Sequence, residues 1–427
     1  MDEKDLFSPI YACRICASGD LFPILDLGRQ PLANALLRPG SGPAQTYPLA
    51  ALGCVGCGAM QLSGTVDPRK MFDEYLYFSS YSTSMLSAMQ HLAAETVRTY
   101  RLGSDDLVVE VASNDGYLLR HYRDLGVRVL GVEPAANVAQ LAQTAGIDTR
   151  VDYFTPEVAS ELLASGSRPR VVHANNVLAH VPDIHRFVEA MHILLAEDGV
   201  AIIETPYLLD LIDRGLFETI YHEHVFYYCL GALAELFGQH GMQLYDCEHL
   251  AVHGGSLRIT VRNRGDVPPT DRLVFARAVE ASRELTSPLT YKDFALEVSE
   301  SRAEIVQQFG DIRRSERSLA GYGAAAKATV LLNFAGIDIR TVDYVVDKNP
   351  AKQGRIIPGT DIPVLPVKRV SEGPPDVLAI LVSNLAAEVR SQMEWFTAAG
   401  GELIVPLEHR RRLDRGIADP SASSHTR

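Results

Sequence analysis

Two Cys-x-x-Cys pairs, Cys13/Cys16 and Cys54/Cys57, stand in the first sixth of the chain. Each turn of this kind presents two sulfurs to one ion, and two such knuckles match a tetrahedral four-thiolate zinc site. The fold must therefore return two distant turns to a single point, with a loop bulging between them. Four sulfurs leave no open coordination position, so Zn2+ here is expected to fold the segment and not to catalyse. Residues 1–72 are rich in Pro and Gly and read as too irregular to bury a core without such a staple. Cys229 and Cys247 stand alone, and no disulfide framework is expected of a cytoplasmic chain of this length.

The chain has 427 residues, of which 47% are apolar and 22% charged, with a formal net charge of -13. That composition describes a packed protein of two or three domains and excludes a wholly disordered chain. The acid excess disfavours nucleic acid as the main partner. No apolar run reaches the length that spans a bilayer, and the acidic start lacks the order of a signal peptide, so no membrane association and a cytoplasmic location are expected. A small-molecule partner and a monomer or weak homo-oligomer complete this expectation.

Buried-strand runs alternate with helical stretches from Leu107 onward: 107–111, 127–131, 171–174 and 200–203. The pattern predicts an α/β fold with a parallel, doubly wound sheet. After helical connectors at 263–310, a second α/β pattern begins, with strands at 318–323, 342–346 and 377–381. The predicted organisation is a zinc-binding module over 1–72, a first α/β domain over 73–262, a second over 263–409, and a disordered tail over 410–427.

The first strand runs into a turn reading Glu110, Val111, Ala112, Ser113, Asn114, Asp115, Gly116, and the second strand ends at Glu133 and Pro134. An acid at that place accepts the hydroxyls of a ribose, and the turn offers backbone N–H groups. Ala112 occupies the position of a first glycine, which weakens a pyrophosphate-binding reading. A ligand with a ribose and no phosphate, such as S-adenosylmethionine, fits better. The third strand leads to Asn175, Asn176 and His180, whose position at a carboxyl end faces the same crevice.

The densest chemical group is Tyr221, His222, Glu223, His224, Val225, Phe226, Tyr227, Tyr228. Imidazole is the usual general base near neutral pH, and phenols donate to a developing oxyanion. Downstream, His253, Gly254, Gly255, Ser256, Leu257, Arg258 reads as a short turn through which Arg258 reaches an anion. In the second α/β block, Gly321-x-Gly323-x-x-Ala326 with Asp347 has the look of a dinucleotide fingerprint, for which NAD is one reading. Lys327, Lys352 and Arg355 are the basic candidates for a diphosphate.

In their order along the chain, these motifs resemble the nucleotide-sugar C-methyltransferases of deoxysugar biosynthesis. The matching segments are Cys13–Cys16, Leu25–Ala33, Cys54/Cys57, Tyr75–Ser80, Ser113–Gly116, Tyr221–His224, His253–Arg258 and Gly321–Lys327. The resemblance implies a zinc module, a class I S-adenosylmethionine-dependent methyltransferase core with a Rossmann-like sheet, and a C-terminal Rossmann-like domain that helps hold the nucleotide sugar without nicotinamide. It implies a substrate that is a dTDP-linked 4-keto deoxysugar, and catalytic roles for Tyr75, His180, Tyr221, Glu223 and His224. Tyr77 competes for the role of Tyr75, and Tyr77, Ser80 and His253 are expected at the substrate. His224 is expected to remove the proton next to the ketone, with Glu223 supporting it and Tyr221 and His180 holding the enolate oxygen. An O- or N-methyltransferase and an NAD-dependent oxidoreductase are the competing readings.

Overall fold

The structure, a computed structural model, describes residues 7–72, 79–81, 83–250, 254–263, 265 and 267–407. The predicted site residues Tyr75, Tyr77 and His253 and the predicted tail at 410–427 lie outside the described residues.

The amino-terminal segment is more regular than its composition suggests. It holds β1 (Phe7–Pro9), β2 (Leu21–Pro31), β3 (Thr46–Cys54), β4 (Met60–Leu62) and β5 (Gly64–Val66). Along β3, buried Tyr47, Leu49 and Ala51 alternate with half-buried neighbours, the period-two signature of a strand with one face inward. Pro23 and Pro31 are accommodated because β2 is an edge, where a missing N–H is tolerated, and its pairing with β3 is broken by two irregularities. The fourth strand of this sheet comes from far along the chain. β11 (Phe226–Tyr227) pairs with β4, giving the order β11-β4-β3-β2.

The central sheet contains β6 (Leu107–Val111), β7 (Arg128–Val132), β8 (Thr149–Arg150), β9 (Val171–Asn175), β10 (Val200–Pro206), β12 (Met242–Leu250) and β13 (Ser256–Asn263). The order is β12-β13-β10-β9-β6-β7-β8. β6 and β9 are buried throughout, as continuous apolar runs covered on both faces should be. From β8 to β10 the pairings are parallel, whereas β13 runs antiparallel to β10 and to β12. The sheet is therefore mixed, and in the segment read as a turn Gly254 and Gly255 lie outside the strands, with φ of 98° and 117°, while Ser256, Leu257 and Arg258 begin β13. Strand order reverses between β6 and β9, which opens a crevice at their carboxyl ends.

Helices Asp271–Ala281 and Lys292–Arg314 lead to a second sheet, built from β14 (Leu319–Tyr322), β15 (Val345–Asp347), β16 (Val364–Pro366), β17 (Val377–Ile380) and β18 (Glu402–Ile404). Its order is β16-β15-β14-β17-β18, parallel throughout. Its first helix, Ala326–Ala335, packs on the rest of the protein. Phe334 lies 5.3 Å from Phe217 between ring centroids, and the Thr329 hydroxyl donates to the Ala33 carbonyl at 2.9 Å.

Candidate active site

One cleft of about 1720 Å³ lies where the three parts meet. Its walls include the β6 turn at Ala112 and Asn114, the β7 end at Glu133 and Pro134, the loop after β9 at Asn175, Asn176 and His180, and Tyr221, Glu223 and His224. Asn34 comes from the amino-terminal module, and Gly323, Lys327, Asp347 and Lys352 come from the second sheet. Predicted residues from Ala112 to Lys352, 240 positions apart in sequence, are thus brought to one place.

The turn after β6 is held open by left-handed backbone. Ala112, Asn114 and Gly116 have φ of 54°, 49° and 74°. Such a conformation costs an alanine roughly 1–2 kcal/mol and a glycine little. Ala112 pays that cost where glycine is the expected residue, and its N–H is satisfied by the Val132 carbonyl at 2.7 Å. Glu133 accepts from the Asn114 and Ala135 N–H groups, both at 2.9 Å. Burial raises its pKa, and these two bonds oppose the rise. Each carboxylate oxygen has a second lone pair, which a ribose hydroxyl can use.

Other predicted cofactor residues do different work. The Asn114 side chain accepts from the Ser79 N–H at 3.0 Å, and Asp115 accepts from the N–H of Ser80 at 3.2 Å. These two side chains anchor the segment that follows Tyr75 and Tyr77. Glu110 is fully buried, receives Asn175 Nδ2 at 3.4 Å, and has its pKa driven well up by desolvation. It lies beneath the turn and is not part of the cleft wall. Asn176 is left-handed, with φ of 54°. The wall also includes Tyr153, Phe154 and Phe187, which the sequence reading passed over. An aromatic pair directly after the short β8 was the available signal.

In the Tyr221–Tyr228 segment, Tyr221 and His224 are half-buried and the other six residues are buried. His224 Nδ1 lies 3.0 Å from the Thr219 carbonyl. A carbonyl only accepts, so Nδ1 carries the hydrogen and the neutral ring keeps its lone pair on Nε2. The Tyr221 hydroxyl lies 2.8 Å from that Nε2. His180 meets His224 edge-on at 4.8 Å between centroids, and burial lowers its pKa to about 4, so it is neutral near pH 7. The Val225 N–H donates to the Ala179 carbonyl at 2.7 Å, tying the two histidine segments together. Glu223 is 3% exposed, and burial pushes its pKa up to about 7 against the opposing pull of Asn34 and Lys352. His222 faces away, toward the Pro48 carbonyl at 3.2 Å.

Of the basic candidates, Lys327 and Lys352 line the cleft and Arg355 does not. Lys352 Nζ donates to the Ala324 carbonyl at 2.9 Å and stands 4.0 Å from Asp347. Lys327 has its pKa lowered by burial, with Glu218 opposing that shift. Arg258 is engaged by Glu204 at 2.6 Å and Glu248 at 2.8 Å, which occupies the guanidinium with protein partners.

The four cysteines converge as their spacing requires. Their Sγ atoms lie within 4.8 Å of one another, with Cys13–Cys57 at 3.7 Å and Cys16–Cys54 at 3.5 Å. A zinc–sulfur bond of ~2.3 Å in a tetrahedron needs sulfurs about 3.8 Å apart. The two knuckles repeat one geometry. The Ala17 N–H bonds the Cys13 carbonyl at 2.9 Å and the Gly58 N–H bonds the Cys54 carbonyl at 3.0 Å, and both donors are left-handed. The residues present fit a closed, four-thiolate zinc site.

Three family models match in succession: "Putative zinc binding domain" over residues 13–72, "Methyltransferase domain" over 85–246 and "C-methyltransferase C-terminal domain" over 251–408. C-methyltransferase NovU of Streptomyces niveus is 33% identical over 411 residues, covering 96% of this chain and 98% of that one. Solved structures with similarity include magnesium protoporphyrin IX methyltransferase of Synechocystis PCC 6803 with bound S-adenosylmethionine. It shows 13% identity and a TM-score of 0.32, over 42% of this chain and 79% of that one. Another is the 1,6-didemethyltoxoflavin-N1-methyltransferase of Burkholderia thailandensis, at 21% identity and a TM-score of 0.32 over the same shares. The cysteine knuckles, the strand order of the central sheet and the near full-length match together make the chain a member of the S-adenosylmethionine-dependent C-methyltransferase family, with zinc as its second cofactor.

Proposed function

We propose that the protein methylates a carbon next to the ketone of a nucleotide-linked 4-keto deoxysugar, through an enolate. The observation that carries this reading is the tautomer of His224: with Nδ1–H committed to Thr219, the basic Nε2 stands beside the Tyr221 hydroxyl on the cleft wall. A ketone acidifies the neighbouring C–H, so an imidazole base suffices to remove the proton, a contribution of about 10²–10⁴-fold. The Tyr221 phenol and neutral His180 are the groups available to hold the enolate oxygen. S-adenosylmethionine, when bound, supplies the electrophilic methyl group; Glu133, Asn114 and Asn176 are the residues that would hold it. Lys327 and Lys352, which also line the cleft, supply positive charge for a diphosphate. A cytoplasmic setting, where thiols stay reduced, suits the four-cysteine site.

Incubation in deuterated water with a panel of 4-keto nucleotide sugars tests the reading. Wild-type protein introduces deuterium next to the ketone without methyl donor, and His224→Asn lowers both exchange and methyl transfer at least about 100-fold while S-adenosylmethionine binding by calorimetry is retained. Full activity in that variant would remove His224 from the role of base. Glu223, with a pKa near neutrality, is the second candidate base, and retention of exchange in His224→Asn with loss in Glu223→Gln would transfer the role to it.

A further inference from the structure

The loop that carries Tyr221, Glu223 and His224 belongs to the central domain, yet one contact to its carboxylate comes from outside that domain. Asn34 Nδ2 donates to Glu223 Oε1 at 2.7 Å. The donor sits just after β2, in the zinc-binding module, and its neighbour Ala33 accepts the Thr329 hydroxyl from the second sheet's first helix. Asn34 and Glu223 both line the cleft. The segment 33–34 therefore touches the catalytic loop and the C-terminal unit at once.

We infer that Asn34 is a positioning residue of the methyl-transfer site, which holds the Glu223 carboxyl group in place beside the substrate and favours its ionised form. The inference rests on the function proposed above, since it takes Glu223 to act there. An amide N–H favours a carboxylate over a carboxylic acid, because only the former presents acceptors alone. The bond is short and lies at a buried acid, where a hydrogen bond to a charged group is worth more than one in water. Glu223 otherwise has strong reason to take up a proton: it is buried, and the opposing influences on it are Asn34 and the more distant Lys352. His222 is neutral, its pKa lowered to about 4 by burial, and the His224 ring is bonded to Thr219 and Tyr221. His180, which packs on His224, is likewise neutral. Without Asn34 the carboxyl would be protonated over more of the neutral range.

Asn34→Ala and Asn34→Asp test this. Loss of the donor raises the Glu223 pKa, so the acidic limb of the kcat profile moves to higher pH by about one unit in Asn34→Ala. At pH 7, kcat falls about fivefold, while the Kd for S-adenosylmethionine, the zinc content and the unfolding temperature stay at wild-type values. Asn34→Asp, which sets a second carboxylate against the first, moves the limb further. An unmoved limb overturns the inference, and so does a variant that loses zinc or unfolds early, because Asn34 would then be a structural residue. Infrared titration of the protonated-carboxyl band, assigned by its loss in Glu223→Gln, reads the same shift in substrate-free protein. That measurement separates failure of this inference from failure of the substrate assignment: a band that shifts in Asn34→Ala supports the inference even if no 4-keto nucleotide sugar exchanges deuterium.

Discussion

The turn after β6 and the turn after β14 solve one problem in two ways. In each, the first residue past the strand is left-handed and donates to the carbonyl that precedes an acid: Ala112 to Val132 at 2.7 Å, Gly323 to Val346 at 2.8 Å. In each, the acid binds one N–H of the turn and one N–H two residues beyond itself. Glu133 takes Asn114 and Ala135, while Asp347 takes Ala324 and Asn349, all at 2.8–2.9 Å. The difference lies in the space allowed. Helix Ala326–Ala335 starts within four residues of β14, whereas helix Leu119–Asp124 starts eight residues after β6. The wide turn leaves room for its Asn and Asp side chains to secure another segment, and the tight turn brings Lys352 onto its own carbonyl. Shared backbone logic therefore says little about the ligand; the span between strand and helix says more.

Substitution at the matched positions would break or sharpen this comparison. The largest effect is expected of Gly323→Ala. A Cβ there would approach Val382 to 2.7 Å on a backbone with φ of 97°. Crowding and left-handed strain together cost about 2–4 kcal/mol, visible as a lower denaturation midpoint. Glu133→Gln comes next. It removes a charged acceptor of two buried N–H groups and should weaken S-adenosylmethionine about 10- to 100-fold by calorimetry; unchanged affinity would mean that the acid serves the turn alone, as its counterpart could. The smallest effect is expected of Ala112→Gly, which relieves strain and adds disorder to the unfolded chain. A gain of ~0.5–1 kcal/mol, with cofactor affinity kept, would show that the wide turn tolerates either residue.

Much of this architecture was legible because it is written locally. The runs at 107–111, 171–174 and 200–203 are apolar enough to be buried strands, and the cysteine knuckles declare themselves by spacing. The concentration of Tyr221, Glu223 and His224 was likewise visible, as was the place of Glu133 at the end of the second strand, though not its bond to the first turn. What escaped notice depends on partners distant in sequence. The amino-terminal sheet was hidden because the Pro and Gly content of the segment read as irregular, and only strand order reveals β2 as an edge that tolerates Pro23 and Pro31. Arg258 looked available for an anion until β10 and β12 supplied Glu204 and Glu248 on either side. Asn34 carries no motif of its own, and nothing in residues 30–36 announces a carboxylate almost 190 positions away.

The pairing of β11 with β4 has a consequence for how this protein is made. Until Phe226 and Tyr227 have left the ribosome, β4 is an open border with backbone groups ready to recruit any passing strand. Metal capture can finish early, because all four thiols are synthesised first, but sealing of that border must wait for the stretch that bears the base. Closure of the amino-terminal sheet and placement of the base-bearing loop are consequently tied to one strand pairing.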